Sequence, residues 1–107
     1  MAALFIARWS IDARFGHKPA VLDAIKAWHR EVGAQVGWPL DKVRIASGSI
    51  GARESRVEVD ILVEDLAALE AAWAKLATLD AHTSWSAKLD LDVVSGSTRW
   101  EILRVVS

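Results

Sequence analysis

Between Arg56 and Ile61 the chain alternates without a break: Arg56, Glu58 and Asp60 are charged, while Val57, Val59 and Ile61 are apolar and β-branched. A period of two sends successive side chains to opposite faces, so this segment reads as a strand with one dry face and one polar face. The first residues repeat the theme. Phe5, Ala7, Trp9 and Ile11 share one face, and Leu4, Ile6, Arg8, Ser10 and then Asp12 share the other. A weaker alternation sets Val43, Ile45 and Ser47 against Lys42, Arg44 and Ala46. The short, turn-rich stretch Gly48 to Ser55 between the second and third strands predicts a hairpin. A turn at Ser95-Gly96-Ser97 precedes a last strand from Arg99 to Val106.

Two helical patterns lie between these strands. Gly16 and then Lys18-Pro19 announce the first, with proline early, where its missing N–H costs nothing. Leu22, Ile25, His29, Val32 and Val36 step by three and four, so the helix is expected to run to about Gly37 as its C-cap. Trp38-Pro39-Leu40-Asp41 reads as a loop, since Pro39 pushes Trp38 out of helical space. Asp65 can N-cap a second, alanine-rich helix carrying Leu66, Leu69, Trp73 and Leu76, expected to fray or bend at His82-Thr83-Ser84-Trp85. The order β-α-β-β-α-β is that of an α+β, ferredoxin-like split βαβ domain, with an antiparallel sheet in the order 4-1-3-2. A four-residue echo supports two related halves: Ala46-Ser47-Gly48-Ser49 after the first helix answers Val94-Ser95-Gly96-Ser97 after the second.

Size and charge narrow the function classes. At 107 residues, 52 % of them hydrophobic, the chain is expected to form one domain over residues 1–107 around one core. Thirteen Lys and Arg against fourteen Asp and Glu, evenly spread, lack the basic footprint that nucleic-acid binding requires. With no Cys, thiol chemistry, disulfides and thiolate metal sites are excluded. The apolar stretch from Met1 to Ala7 reaches Arg8 too soon for a signal peptide or a membrane span, so a soluble, cytoplasmic protein with no membrane role is expected. No GxSxG, GxGxxG or P-loop string occurs, and no HxH, HxxxH or HExxH spacing; no nucleotide cofactor or metal is expected.

A chain of this length and element order, with its tryptophan-bearing second helix, resembles the dimeric α+β barrel superfamily. That group includes antibiotic-biosynthesis monooxygenases, haem-degrading monooxygenases, stress-responsive barrel proteins and proteins of the NIPSNAP type. The resemblance implies a homodimer in which two four-stranded sheets form a barrel with the helices outside, and a ligand space between each sheet and its helices. The haem-degrading branch uses an Asn on the first strand with a Trp and a haem-ligating His on the second helix. Trp73 and His82 are present here, but the sequence contains no Asn, so haem chemistry is not expected.

Six Trp and no Tyr make the most unusual feature of the composition. Trp9 on the helix-facing side of the first strand, Trp28 on the first helix, and Trp73 and Trp85 on or near the second could converge on one wall. With His29 and His82 they form the candidate ligand-binding set, suited to a small apolar or aromatic molecule. The competing reading is that the same rings fill the core or cover an interface. His17 and His82, at opposite ends of antiparallel helices, are expected at one end of the domain. On the charged sheet face, Glu58 and Asp60 should be flanked by Arg8 and Arg44. Three functions stand open: a ligand-binding barrel, a cofactor-independent monooxygenase-like enzyme acting on an aromatic compound, and a purely structural or assembly dimer.

Overall fold

A computed structural model describes residues 4–106; Met1 to Ala3, part of the apolar start noted above, lie outside the described residues. Four strands, β1 (Phe5–Asp12), β2 (Val43–Ser47), β3 (Arg56–Val63) and β4 (Arg99–Arg104), form one antiparallel sheet in the order β2-β3-β1-β4. Read from its other edge this is 4-1-3-2, the ferredoxin-like order. The register places Arg8 opposite Asp60 and Glu101, Ser10 opposite Glu58 and Arg99, and Trp9 opposite Val59 and Trp100. Alternation therefore holds across the sheet. Ala7, Ile11, Val57, Val59, Ile61 and Val63 are buried on one face, which carries the helices.

Helix α1 (Lys18–Glu31) begins with Pro19 in its first turn and buries Val21, Ile25, Trp28 and His29. Its covered stripe is centred one residue from the expected one, because Val21 is buried while Leu22 is only half-buried. The helix also stops at Glu31 rather than near Gly37 and tightens into a 3₁₀ turn over Gly33–Val36. The cause is a close return of the chain. The Trp38 N–H donates to the Gly33 carbonyl at 2.8 Å, and a Cβ on Gly33 would sit 2.6 Å from the Trp38 carbonyl oxygen and 2.9 Å from the Trp28 ring. Gly37 completes the reversal at φ +83°, in the left-handed region that glycine enters freely.

The expected second helix is two helices. Asp65 caps α2 (Leu66–Leu76) by accepting from the Ala68 N–H at 2.8 Å. The chain then turns through Ala77 to Leu79 and restarts as α3 (Asp80–Leu89). His82 to Trp85, expected to fray, are thus helical, and the break falls before them. Thr78 donates its hydroxyl to the Lys75 carbonyl at 2.7 Å, which satisfies a helix-end acceptor at the break. In α2, Leu69, Ala72 and Leu76 are buried, while Leu66 and Trp73 lie at the margin, 49 % and 37 % exposed. Strand β4 ends at Arg104, two residues short of the reading from sequence, and all its side chains are exposed. Among the described residues no helix is long and apolar enough to cross a membrane.

Candidate functional site

Helix α3 packs against α1 and brings aromatic side chains from both together. The Trp28 indole N–H donates to His82 Nδ1 at 3.0 Å, and the Trp85 N–H donates to the Ala24 carbonyl at 2.8 Å. Trp28 is the hub. Its ring meets His29 edge-on at 4.7 Å and His82 at 5.9 Å, and lies tilted to Trp85 at 5.8 Å and to Trp38 at 6.4 Å. His82 in turn stacks on Trp85 at 6.3 Å.

Between these helices and the sheet lies a cavity of about 390 Å³. Its wall contains Trp9, Trp28, His29, Trp73, His82 and Trp85, all six of the residues singled out from the sequence. Two more tryptophans belong to it. Trp38 packs beneath Trp28, and Trp100 sits opposite Trp9 in the sheet and edge-on to Trp73 at 5.3 Å, so every Trp of the chain lines this space. Trp100 was not singled out from the sequence, although strand parity sets it on the helix side, where it pairs with Trp9. Trp38 had no such signal, because its position follows from the 3₁₀ turn that helix periodicity did not reveal.

The two imidazoles have defined states. His29 is 2 % exposed, and its Nδ1 lies 2.8 Å from the Trp38 carbonyl oxygen, which can only accept. Nδ1 therefore carries the proton, and Nε2 keeps a lone pair. Burial pushes the His29 pKa below its ordinary value, against a smaller opposite effect of that hydrogen bond. His82 is the complement: its Nδ1 accepts from an indole that can only donate, so its proton is on Nε2, and burial lowers its pKa too. The cavity thus contains one imidazole with a free acceptor nitrogen and one with a free N–H. Asp90 is its single charged lining residue among those described. Ser86 and Thr98 add hydroxyls, neither of them hydrogen-bonded to a histidine.

His17 does not join this group. It makes a 2.8 Å contact with Asp92 near the start of α1, whereas His82 is held at Trp28, so the expectation that they meet at one end is corrected. The break puts His82 in the first turn of α3, against Trp28 in the second half of α1. Among the described residues no cluster of three or more His, Asp or Glu is arranged to hold a metal ion.

No protein-family model and no curated protein matches the sequence. Solved structures do share the fold. A NIPSNAP family protein from Agrobacterium tumefaciens superposes with a TM-score of 0.77 at 18 % identity, over 100 % of this chain and 90 % of its own. An uncharacterised NIPSNAP-like domain protein from Burkholderia xenovorans gives 0.70 at 19 % identity, over 100 % and 89 %. A candidate antibiotic biosynthesis monooxygenase from Caulobacter crescentus gives 0.68 at 13 %, over 99 % and 92 %.

Proposed function

We propose that this chain, which has the fold of those NIPSNAP and monooxygenase-like structures, is a single-domain, cytoplasmic homodimer that binds a small, uncharged apolar or aromatic molecule. The observation that carries the reading is the convergence of all six tryptophans and two neutral imidazoles on one cavity of about 390 Å³. Large aromatic walls with a few aimed polar groups suit such ligands. A wholly structural dimer would gain more from a filled core, so the open space favours binding over that alternative.

Between binding and turnover, the cavity supports binding. Neither of its hydroxyls is paired with a base, so no activated nucleophile is assembled there. The sheet face without helices supports the dimer reading. Ile6 lies there between Leu62 and Leu103, which are 62 % and 40 % exposed, and the Val105 N–H donates to Leu4 beside them. An apolar row on a sheet face without helices calls for a partner.

Titration with 1-naphthol, followed by tryptophan fluorescence, tests the binding reading. Saturable quenching is expected in the native protein, with weaker binding in His29→Leu at unchanged helix content. If affinity is the same in that variant, or if the variant unfolds, His29 is structural and its place in the ligand site is lost.

A further inference from the structure

A second, smaller cavity of about 100 Å³ opens on the charged face of the sheet, away from the tryptophans. It lies where the β2–β3 hairpin approaches the segment before β4. Arg53, Arg56 and Arg99 line it against one carboxylate, Asp12. That carboxylate is already engaged, accepting from Arg53 at 2.7 Å and from the Ser55 hydroxyl at 3.3 Å. The Ser97 hydroxyl is also spent, accepting from the Asp12 N–H at 3.1 Å and donating to the Val94 carbonyl at 2.6 Å.

The remaining donors are not engaged. Arg56 pairs with Glu58 through a terminal nitrogen at 3.0 Å, which leaves its Nε buried with no partner. Ser10 is 7 % exposed, and its hydroxyl has no hydrogen bond among the described residues. Arg99 and the Thr98 hydroxyl likewise have none there. Buried donors are almost always satisfied, so the unpaired Arg56 Nε calls for an acceptor, and Ser10 lines the same small space. Register makes the convergence structural: Arg56 stands opposite Asp12, and Arg99 opposite Ser10, on adjacent strands.

We propose that this cavity binds a phosphate-type oxyanion, received by Arg56 Nε, the Arg99 guanidinium and the Ser10 and Thr98 hydroxyls. With Arg53 balanced by Asp12 and Arg56 by Glu58, Arg99 leaves one positive charge in excess, and donors arriving from β1, β3 and β4 match a tetrahedral acceptor better than a planar one. The two cavities share Ile11 and Thr98 in their walls, but the arginines line only this one, and occupancy of the anion site does not depend on the small-molecule reading above.

Inorganic phosphate, titrated by calorimetry into the native protein at constant ionic strength with chloride as the reference, is the test. Saturable binding is expected, weakened about tenfold in Arg99→Ala, which breaks no ion pair, and similarly in Ser10→Ala. Arg44→Ala, on the same face but outside the cavity, should change it less than about twofold. Phenyl phosphate is a second arm: equal affinity assigns the free ion and tighter binding a monoester, and both support the site. Absence of saturable binding, equal loss in Arg99→Ala and Arg44→Ala, or acetate binding as tightly as phosphate would overturn the proposal. The first of these is also the result expected if a second copy supplies a carboxylate to Arg56.

Discussion

Trp28 donates its indole N–H to Nδ1 of His82 across 3.0 Å, tying α1 to α3 and fixing the tautomer of a cavity-lining imidazole with one bond. The pair joins residues 54 positions apart in the chain, and its polar atoms are partly buried. Loss of the acceptor therefore leaves a donor without its partner at the hub of the aromatic cluster.

His82→Leu is expected to destabilise the fold by about 1–3 kcal/mol, the usual cost of leaving a buried donor unpaired. His82→Gln, whose side-chain oxygen can accept, should recover part of that loss. Urea denaturation of the two variants side by side checks both statements; equal stability would show that the bond contributes little.

Both cavity histidines are held below the ordinary value of 6.5 by burial. Below that pH the unfolded chain takes up protons that the folded chain refuses, so the stability carried by the neutral rings is full above it and falls as the pH drops through it. Asp60 acts in a lower window. Its carboxyl is held below 3.8, chiefly by the Arg8 hydrogen bond, so its contribution is present above that value and is lost only on further acidification. Denaturation midpoints measured across the acid range should show two separable declines, the first flattened in His29→Gln.

The sheet's charged face reports on assembly. Arg8 holds Asp60 by two bonds, at 2.7 and 3.0 Å, and Arg44 adds a third at 2.7 Å. With a second copy over this face, Arg8→Ala should cost about 3–5 kcal/mol, because a buried carboxylate loses its closest partner. On a solvated face the cost stays under about 1 kcal/mol. Light scattering is expected to give twice the chain mass of 11.7 kDa, and a monomer together with the smaller cost would remove the barrel dimer.

Gly33→Ala introduces a Cβ 2.6 Å from the Trp38 backbone oxygen, so the backbone there must shift. A loss of about 1–3 kcal/mol is expected, as for other overpacked sites. Because the displaced carbonyl is the one that holds His29 Nδ1, quenching by 1-naphthol should weaken in parallel.

Period-two alternation made the faces of the strands legible, since they follow from parity alone, and the β-α-β-β-α-β element order supplied the strand order and so the neighbours of Asp60. The helices were harder. A 3.6-residue stripe continues smoothly from Val32 to Val36, and only the return of Trp38 onto Gly33, a contact made through space, stops α1 at Glu31. The break after Leu76 was hidden for the opposite reason: Ala77 and Thr78 carry no strong helix-breaking chemistry, and packing of α3 on α1 sets the new direction. The aromatic wall was readable as a set, whereas Trp38 depended on that unforeseen turn.

The charge of the larger cavity's wall has a consequence for the compounds it meets in a cell. Asp90 is the lone ionic group among its described lining residues, and no lysine or arginine accompanies it. Most intermediates of central metabolism carry phosphates or carboxylates, and such a wall repels them while offering nothing in exchange for their lost hydration. On the binding reading proposed above, the compounds that suit such a wall are neutral ones that partition into lipid and cross bilayers unaided.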